Sequence, residues 1–386
     1  MKMAVEEVRE SGGGAYPTAV TNVEYFVDLT KTVASHLMIP FWKAEAPFQY
    51  CLLPFHPGEY GQEVNKTAEY TKRFFIAAVA LPTMVATLPL LLLSFPMTYL
   101  ARVYESDNYR HLSGMCPQRE LSRPKFFHLN ACMFWGGLPY VMGGVTPADS
   151  RFKELMAAIK EVNPDILFLC EFNRTLSRPM HQNLKGIYSD FFVDIGLNAQ
   201  GMENALMVAS RVPIVSKPRY IPFSMEIEGE QKYLKRGFFA VETKGKWYIY
   251  THLHPKDGAY DRDVRQRQLI EIQDFIDTRT GDKPVIFLGD LNINRLDEPN
   301  HDYEEMIERG GFINYFADQH PELATASDAL DRKIKGSREE ALPEVIDYAL
   351  INPKGKEVPL EVELYDTSRA RPDLALSDHH GLIGIG

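Results

Sequence analysis

The sequence predicts an α+β protein whose two β-sheets pack face to face, preceded by a hydrophobic membrane segment. Eight strand-like apolar runs lie between residues 124 and 386, whereas only two helical patterns, at 147–162 and 262–279, lie among them. Many strands with few helices between them favour a two-sheet sandwich over a doubly wound parallel sheet. The membrane segment is predicted from an uncharged stretch at 74–101.

The composition describes a globular chain that is poorly suited to binding long nucleic acids. Of its 386 residues, 45% are hydrophobic and 24% are charged, and the formal net charge is −10. Because Lys and Arg supply most of the affinity for nucleic-acid phosphates, we expect no nucleic-acid partner. The four cysteines form no close pair and no dense framework, which favours a reducing compartment.

Residues 1–73 are predicted to be a juxtamembrane region. Their apolar stretch, VASHLMIPFWKAEAPFQYCLLPF, is interrupted by Lys43 and Glu45. We therefore expect this stretch not to span a bilayer, although it could lie in an interface.

The uncharged segment 74–101 is longer than the 18 or so apolar residues typical of a membrane helix. Pro82, Pro89 and Pro96 recur every seven residues, and each removes a helix hydrogen bond. Two interpretations are open, a kinked spanning helix or a re-entrant segment with its apex near Pro89. The flanking charges do not fix an orientation. Residues 102–123 are predicted to be a linker to the domain at 124–386.

Polar residues recur where the predicted strands of this domain end. Asp290 and Asn292 after VIFLG could by themselves be explained as a turn, but the same kind of residue ends several other runs. Loops at strand ends of a rigid scaffold commonly carry catalytic residues. The set comprises Asn130, Glu171, His252, Asp290, Asn292, Asp347, Asp378 and His379.

The chemistry of this set points to a metal-assisted reaction. Carboxylate and amide oxygens suit a hard cation such as Mg²⁺, which keeps several waters and takes only one or two protein carboxylates. Two histidines supply proton transfer near neutral pH. Together these groups favour attack of water on a phosphodiester, with the metal stabilising charge on the phosphate oxygens.

The ordered motifs LN, CE, TH, GDLN, IDY and SDH, ending at positions 130, 171, 252, 292, 348 and 379, resemble the exonuclease–endonuclease–phosphatase superfamily. This group has the deoxyribonuclease-I-like fold. The resemblance covers nearly all of 124–386. It implies a four-layered α/β sandwich with the active site at the edges of the sheets.

One branch of that superfamily, the neutral sphingomyelinases, is the most similar. THLHPKD, the helix Arg265–Ile276 within VRQRQLIEIQDFID, and GDLNIN resemble its motifs, as does SRVPIVS at 210–216. THLHP stands where THLQA is commoner and adds His254. The resemblance implies Mg²⁺-dependent hydrolysis of sphingomyelin to ceramide and phosphocholine at a membrane surface, with Mn²⁺ as a substitute. It also implies a catalytic domain that faces the cytoplasmic leaflet and is activated by anionic phospholipids.

We predict that Glu171 is the main Mg²⁺ ligand. Asp290 would bind a second ion or orient the water, and Asn292 would act at the metal or donate to the phosphate. Asn130 would hold the metal site or a phosphate oxygen. Lys235 is a candidate contact to the substrate headgroup.

We predict that His379 is the general base and that Asp378 orients it. His252 would stabilise the phosphorane oxygens or protonate the leaving group, with Asp290 beside it. Asp347 is expected to pair with a histidine near the site.

Two kinds of alternative function are open. The first is another phosphodiesterase or phosphatase of the superfamily, acting on a lysophospholipid, an inositol phosphate or a nucleic acid. A nuclease would need a basic groove, and an inositol-phosphate phosphatase would need a cluster of cations where NINRLDEP offers only Arg295. The second is a membrane scaffold that has lost catalysis. The sequence does not fix the headgroup, the membrane, the regulators, the oligomeric state or acylation of Cys51 or Cys116.

Overall fold

The structure is a computed structural model, and it describes the greater part of the chain in eleven ranges. These are residues 22–52, 65–103, 108–133, 148–196, 206–225, 236–256, 258–296, 301–327, 343–356, 358–367 and 376–386. Parts of the predicted juxtamembrane region and linker lie outside them.

The described residues form the following helices and strands. The helices are α1 (Asn22–Leu52), α2 (Lys66–Val103), α3 (Ala148–Val162), α4 (Ser177–Leu184), α5 (Ala259–Arg279), α6 (His301–Gly310) and α7 (Tyr315–Gln319). The strands are β1 (Arg110–Ser113), β2 (Lys125–Met133), β3 (Ile166–Phe172), β4 (Asp190–Ile195), β5 (Leu206–Ser210), β6 (Arg219–Pro222), β7 (Gly237–Glu242), β8 (Trp247–His252), β9 (Val285–Asp290), β10 (Ala326–Ser327), β11 (Pro343–Glu344), β12 (Asp347–Asn352), β13 (Glu361–Tyr365) and β14 (Gly381–Ile385).

The larger strands belong to two sheets. One sheet has the strand order β1-β4-β5-β3-β2-β14-β13, and the other has the order β12-β9-β8-β7-β6. Strands β10 and β11 form a small separate ribbon. The eight strand-like runs in the sequence correspond to β2, β3, β5, β7, β8, β9, β12 and β14.

The central strands are buried on both faces, which gives the domain four layers. In β2, Phe126 packs in the core between the two sheets, whereas its neighbour Phe127 packs on the other face, against α3 and α4. In β9, Ile286 lies between the sheets and Phe287 packs against α5 and α6. Successive strand residues point to opposite faces, so a strand covered on both sides reads as a continuous apolar run. The predicted α+β four-layered sandwich is confirmed.

Each sheet contains one β-α-β unit, and these two units position the site. Strands β2 and β3 are parallel and are connected through α3, and strands β8 and β9 are parallel and are connected through α5. Parallel strands that are connected in this way place their carboxyl ends at the same edge of the sheet. The predicted residues Asn130 and Glu171 therefore lie near the ends of one pair, and His252 is directly opposite Asp290 in the other.

The hydrophobic segment lies within a single continuous helix, α2, which includes all three prolines. Among the described residues, it is the one helix whose length and apolar composition would allow it to cross a membrane. The side chains of Phe74, Phe75, Val79 and Val85 are at least 64% exposed. The helix is continuous across the whole uncharged segment 74–101.

The region before the hydrophobic segment and the predicted linker both contain structure that the sequence did not reveal. Helix α1 packs along α2, and the Cys51 thiol near the end of α1 donates to the carbonyl of Arg73 near the start of α2, at 3.2 Å. The two helices are thus antiparallel. Strand β1, within the predicted linker 102–123, pairs with β4 at the edge of the seven-stranded sheet.

Candidate active site

Residues from both sheets meet at one place in the sandwich. The His252 ring places Nδ1 3.8 Å from Glu171 Oε1 and Nε2 3.5 Å from Asp290 Oδ2. His379 Nε2 lies 3.9 Å from the same Asp290 oxygen. These separations are too long for hydrogen bonds, but they bring two imidazoles and two carboxylates around one point. The sequence separates these four residues by more than two hundred positions, and the fold gathers them.

His379 is held by Asp347. Its Nδ1 lies 2.7 Å from Asp347 Oδ2, and the other oxygen of Asp347 lies 3.0 Å from Nε2 of the buried His128. Asp347 is fully buried, so this carboxylate fixes the orientation of the His379 ring and leaves Nε2 facing the site. His128 was not recognised from the sequence, where it is one histidine inside an apolar run.

The prediction that Asp378 orients His379 differs from the structure. The Asp378 carboxylate accepts a hydrogen bond from the Ser377 hydroxyl at 3.1 Å, whereas Asp347 bonds to the imidazole. The ring of His379 is thus oriented from the other sheet by Asp347 of β12. The expected pairing of Asp347 with a nearby histidine is what the structure contains.

The two predicted asparagines are fixed by hydrogen bonds within the site. Asn130 Nδ2 donates to Asp290 Oδ2 at 3.0 Å and lies 3.4 Å from His379 Nε2. Asn292 Nδ2 donates to the carbonyl of Leu253 at 3.0 Å. One donor of Asn292 is therefore used to hold the chain after His252, so the phosphate contact predicted for it would need its second amide hydrogen.

The ends of the catalytic strands have unusual backbone geometry. Cys132, Glu171 and Asn292 have φ values of 45°, 50° and 51°, in the left-handed region that residues other than glycine seldom adopt. Such conformations persist where the surrounding structure enforces them, and they cluster at functional sites. Gly289 has φ 146°, and a Cβ there would lie 1.9 Å from the carbonyl oxygen of Thr251 in β8. The glycine in GDLN thus permits the close approach of β8 and β9.

The buried carboxylates of the site lie close together, and this raises the pKa values of two of them. Burial, with the negative charge of Asp378, raises the pKa of Glu171 to about 7. Burial, with the charge of Asp347, raises the pKa of Asp290 to about 6. Both carboxylates would be ionised more readily beside a cation.

The two histidines have opposite pKa shifts. Burial, then the positive charge of Arg236, lowers the pKa of His252 well below its usual value. Burial alone would lower the pKa of His379, but the charge and hydrogen bond of Asp347 outweigh it and raise this pKa well above the usual value. At neutral pH and without a cation, these shifts favour a neutral His252 and a protonated His379, which is the reverse of the acid and base roles predicted from the sequence.

A divalent cation fits the donor set. Asp290, Asp347 and His379 present ligand atoms within 4.8 Å of one another. Because both oxygens of Asp347 already face histidine nitrogens, Asp290 and Glu171 are the carboxylates better suited to a cation. Oxygen donors of this kind, with elevated pKa values, match a hard divalent ion.

Two buried arginines near the site were missed from the sequence. Arg151 of α3 is fully buried and donates to the carbonyls of Ala131, Cys132 and Leu376, which ties the end of β2 to the segment that carries His379. Arg236 donates to the carbonyl of His252 at 3.0 Å. Their signal in the sequence is weak, because an isolated Arg usually lies at the surface. The predicted headgroup contact, Lys235, lies outside the described residues.

Comparison with known proteins identifies the class to which this fold and site belong. The model of the endonuclease/exonuclease/phosphatase family matches residues 130–379, and the chain is a member of that family. The family comprises hydrolases of phosphate esters that depend on divalent metals.

The individual relatives have low sequence identity to this chain. Sphingomyelinase C from Bacillus cereus is 28% identical over 169 residues, a match that covers 37% of this chain and half the length of that relative. The crystal structure of SmcL superimposes with a TM-score of 0.51 at 21% identity, covering 68% of this chain and 99% of SmcL. TDP2 from D. rerio, complexed with a single-strand DNA product, gives a TM-score of 0.50 at 15% identity, covering 68% and 98%. The two structures share the fold with this chain.

Proposed function

We propose that this protein is a membrane-associated sphingomyelin phosphodiesterase that releases ceramide and phosphocholine. The observation that carries the proposal is that His252 and His379, from different sheets, approach one oxygen of Asp290 while Glu171 lies beside His252. The partial similarity to sphingomyelinase C supports the choice of substrate. The net charge of −10 favours a lipid over a nucleic acid.

Each residue of the site would have its own role in the hydrolysis. His379 Nε2 accepts a proton from the attacking water, while Asp347 at Nδ1 holds the ring and stabilises the imidazolium that forms. His252, which approaches the same oxygen of Asp290 as His379, donates to a phosphate oxygen or protonates the departing ceramide oxygen. Asn130, held against Asp290 and His379, contacts the metal site or a phosphate oxygen. Asp378 would act only through the local charge, and Lys235 would contact the headgroup.

Glu171, together with Asp290 and Asn292, would hold Mg²⁺, for which Mn²⁺ could substitute. When bound, the cation supplies charge stabilisation to the phosphate oxygens. Its positive charge would also lower the pKa of His379 and favour the neutral imidazole that a general base requires.

Helix α2 would bring the site to its substrate. The acyl chains of a membrane lipid stay in the bilayer, so an enzyme that cleaves at the headgroup benefits from attachment to the surface. The exposed apolar side chains of α2 suit a lipid environment. We infer that the catalytic domain faces the cytoplasmic leaflet, where anionic phospholipids could activate it.

A substrate panel tests this proposal. Sphingomyelin vesicles, lysophospholipid, inositol phosphates and single-stranded DNA are each assayed with and without Mg²⁺. We expect Mg²⁺-dependent release of phosphocholine from sphingomyelin, and its loss on chelation or in His379→Ala and His252→Ala. The control is His111→Ala, which removes a histidine paired to Asp190 at 2.9 Å outside the site. Preferential turnover of another substrate, or activity in His379→Ala, would refute the proposal.

A further inference from the structure

The segment after His252 is held by hydrogen bonds along nearly its whole backbone. The carbonyl of His252 accepts from Arg236 Nη1 at 3.0 Å. The N–H of Leu253 donates to the carbonyl of Asp290, and the carbonyl of Leu253 accepts from Asn292, both at 3.0 Å. These contacts connect the segment to the site itself.

Helix α5 supplies the other contacts to this segment. Gln268 Oε1 accepts from the N–H of His254 at 3.0 Å. Arg265 Nη1 donates to the carbonyl of His254 at 3.2 Å and to the carbonyl of Lys256. Asp261 Oδ1 lies 2.7 Å from Nε2 of His254. We call these three side chains, Asp261, Arg265 and Gln268, the α5 clamp.

Two members of the α5 clamp, Arg265 and Gln268, are buried at a cost, whereas Asp261 is partly exposed. Arg265 is 2% exposed and Gln268 is fully buried, on a helix that already packs through Ile272 and Ile276. Removing a guanidinium and an amide from water is unfavourable unless their hydrogen bonds are made, and apolar side chains commonly stabilise a helix at least as well. Arg265 also lies 3.7 Å from Asp302 of α6, but this ion pair does not involve Gln268 and does not account for the hydrogen bonds to the segment.

The conformation of the clamped segment also needs support. Lys256 has φ 81°, a strained value for a residue with a side chain. Its carbonyl accepts from Arg265, and the strained turn directs the chain from β8 into α5. Without the clamp, the segment could relax and His252, which immediately precedes it, could move.

We propose that Arg265 and Gln268 are positioning residues that hold His252 in the orientation needed for phosphodiester hydrolysis. The inference rests on the proposed role of His252. Neither residue contacts the reacting atoms, and both act through the backbone of residues 253–256. A displacement of about 1 Å at a catalytic group can cost about 100-fold in rate.

The test combines kinetics with a double-mutant cycle. Arg265→Met and Gln268→Met remove the hydrogen bonds while retaining an unbranched side chain. We expect kcat to fall about 100-fold with KM changed by less than about 2-fold, and Arg265→Lys to recover part of kcat because one donor remains. In a His252→Ala background, Arg265→Met should cause no further loss, because the two changes act on one group. Multiplicative losses would overturn the proposal.

Two control variants separate positioning from stability. Ile272→Val weakens the packing of the same helix, and Gln273→Leu removes an exposed contact to Asp277. Both should keep kcat within about 2-fold at a temperature where they stay folded. An equal loss of kcat in Ile272→Val would mean that the clamp is only structural.

A measurement that needs no substrate distinguishes this inference from the proposed function. Amide hydrogen exchange at His254 and the NMR signals of the His252 ring report the clamp directly. In Gln268→Met we expect faster exchange at that amide and shifted or broadened ring signals. If the wild-type protein cleaved no member of the panel, the proposed function would fail, and unchanged exchange and ring signals would independently overturn the clamp.

Discussion

Asp347 is the residue on which the orientation of His379, the proposed general base, depends. It is fully buried between two histidines, with one oxygen toward His128 and the other toward His379. Burial alone would raise the pKa of Asp347, but the charges and hydrogen bonds of the two histidines hold it well below its usual range. The carboxylate is therefore ionised throughout the neutral range and can fix the tautomer of His379.

Replacing Asp347 with Asn should alter both the rate and its pH dependence. The change removes the negative charge that raises the pKa of His379, so that pKa falls. Since the general base must be deprotonated, the acidic limb of kcat/KM should move to lower pH, while kcat decreases by about 10²–10⁴-fold as the ring loses its partner. Asp190→Asn, at the remote pair with His111, is the control. An acidic limb that stayed in place would argue against His379 as the base.

Glu171→Gln tests the metal ligand. The amide keeps the shape of the side chain but loses its charge, so we expect weaker Mn²⁺ binding by calorimetry. Metal assistance contributes several kcal/mol, which corresponds to a loss of roughly 10²–10³-fold in kcat/KM. The matched control is Glu361→Gln, whose carboxylate pairs with Arg123 at the surface. Unchanged Mn²⁺ affinity in Glu171→Gln would remove this residue from the metal site.

The sequence alone could indicate which residue types form the site but not all of their partners. The strand-end positions of Glu171, His252 and Asp290 follow from apolar runs that end in polar residues, and these residues do converge. Asp378, the residue next to His379 in the sequence, was predicted to be its partner. The structure instead has Asp347, which belongs to β12 of the five-stranded sheet, bonded to the His379 ring. Pairings of this kind depend on the packing of the sheets, which local patterns do not contain.

At the scale of elements, the approach of β8 to β9 depends on Gly289. In Gly289→Ala the new Cβ would meet the carbonyl oxygen of Thr251 at 1.9 Å and would strain a backbone at φ 146°. We expect a loss of about 2–5 kcal/mol in the free energy of unfolding, measured by urea denaturation. Gly245→Ala, where a Cβ meets nothing within 4 Å, should change it by less than about 0.5 kcal/mol. Similar losses in both variants would contradict this explanation.

Several of the elements that were missed differ in kind from those that were predicted, although the buried strand β4 was missed as well. Strands such as β9 are buried on both faces, so burial selects an apolar run that is visible in the sequence. Strand β1 reads RHLS and alternates between exposed and half-buried residues, and β6 reads RYIP at the edge of its sheet. Edge strands of this kind form because a neighbouring strand offers hydrogen bonds, and composition alone does not reveal that neighbour.

At the scale of the whole molecule, the two sheets of the sandwich share one structural feature. In each β-α-β unit, a buried arginine of the helix donates to backbone carbonyls just beyond a candidate site residue of the first strand. Arg151 of α3 bonds to Ala131 and Cys132 after Asn130, and Arg265 of α5 bonds to the segment after His252. The outer helices thereby orient the strand ends that meet at the site.

The N-terminal helices contact this domain close to Glu171, the proposed metal ligand. Helix α1 contacts the 3₁₀ turn Arg174–Leu176, which begins three residues after Glu171. At this junction, Lys31 is 3% exposed and Asp194 is 8% exposed. Asp194 pairs with Arg110 of β1 at 2.6 Å, and Lys31 of α1 adds a positive charge near the same carboxylate, which would help to hold α1 against the domain.

The Asp194 contact should make the docking of α1 sensitive to acid. Burial alone would raise the pKa of Asp194, but the charges of Arg110, Lys31 and Arg174 and the hydroxyl of Ser177 outweigh it, and this pKa is lowered. A carboxyl whose pKa is lower when folded contributes stability above its unfolded pKa of about 3.9, and that stability is lost as the pH falls through the folded value.

A double-mutant cycle measures this contact. At pH 7, Lys31→Met and Asp194→Asn should show a coupling of about 1–3 kcal/mol in the free energy of unfolding, since both groups are buried and the charge of Lys31 acts on Asp194. Exposed Lys72 and its neighbour Glu69, which lie 3.9 Å apart, should give less than about 1 kcal/mol. The coupling at Asp194 should stay constant from pH 8 to pH 6 and shrink as the solution is acidified below about pH 4, because protonation removes the charge. A coupling that is absent at pH 7, or unaffected by acid, would show that the charge of Asp194 does not hold α1 against the domain.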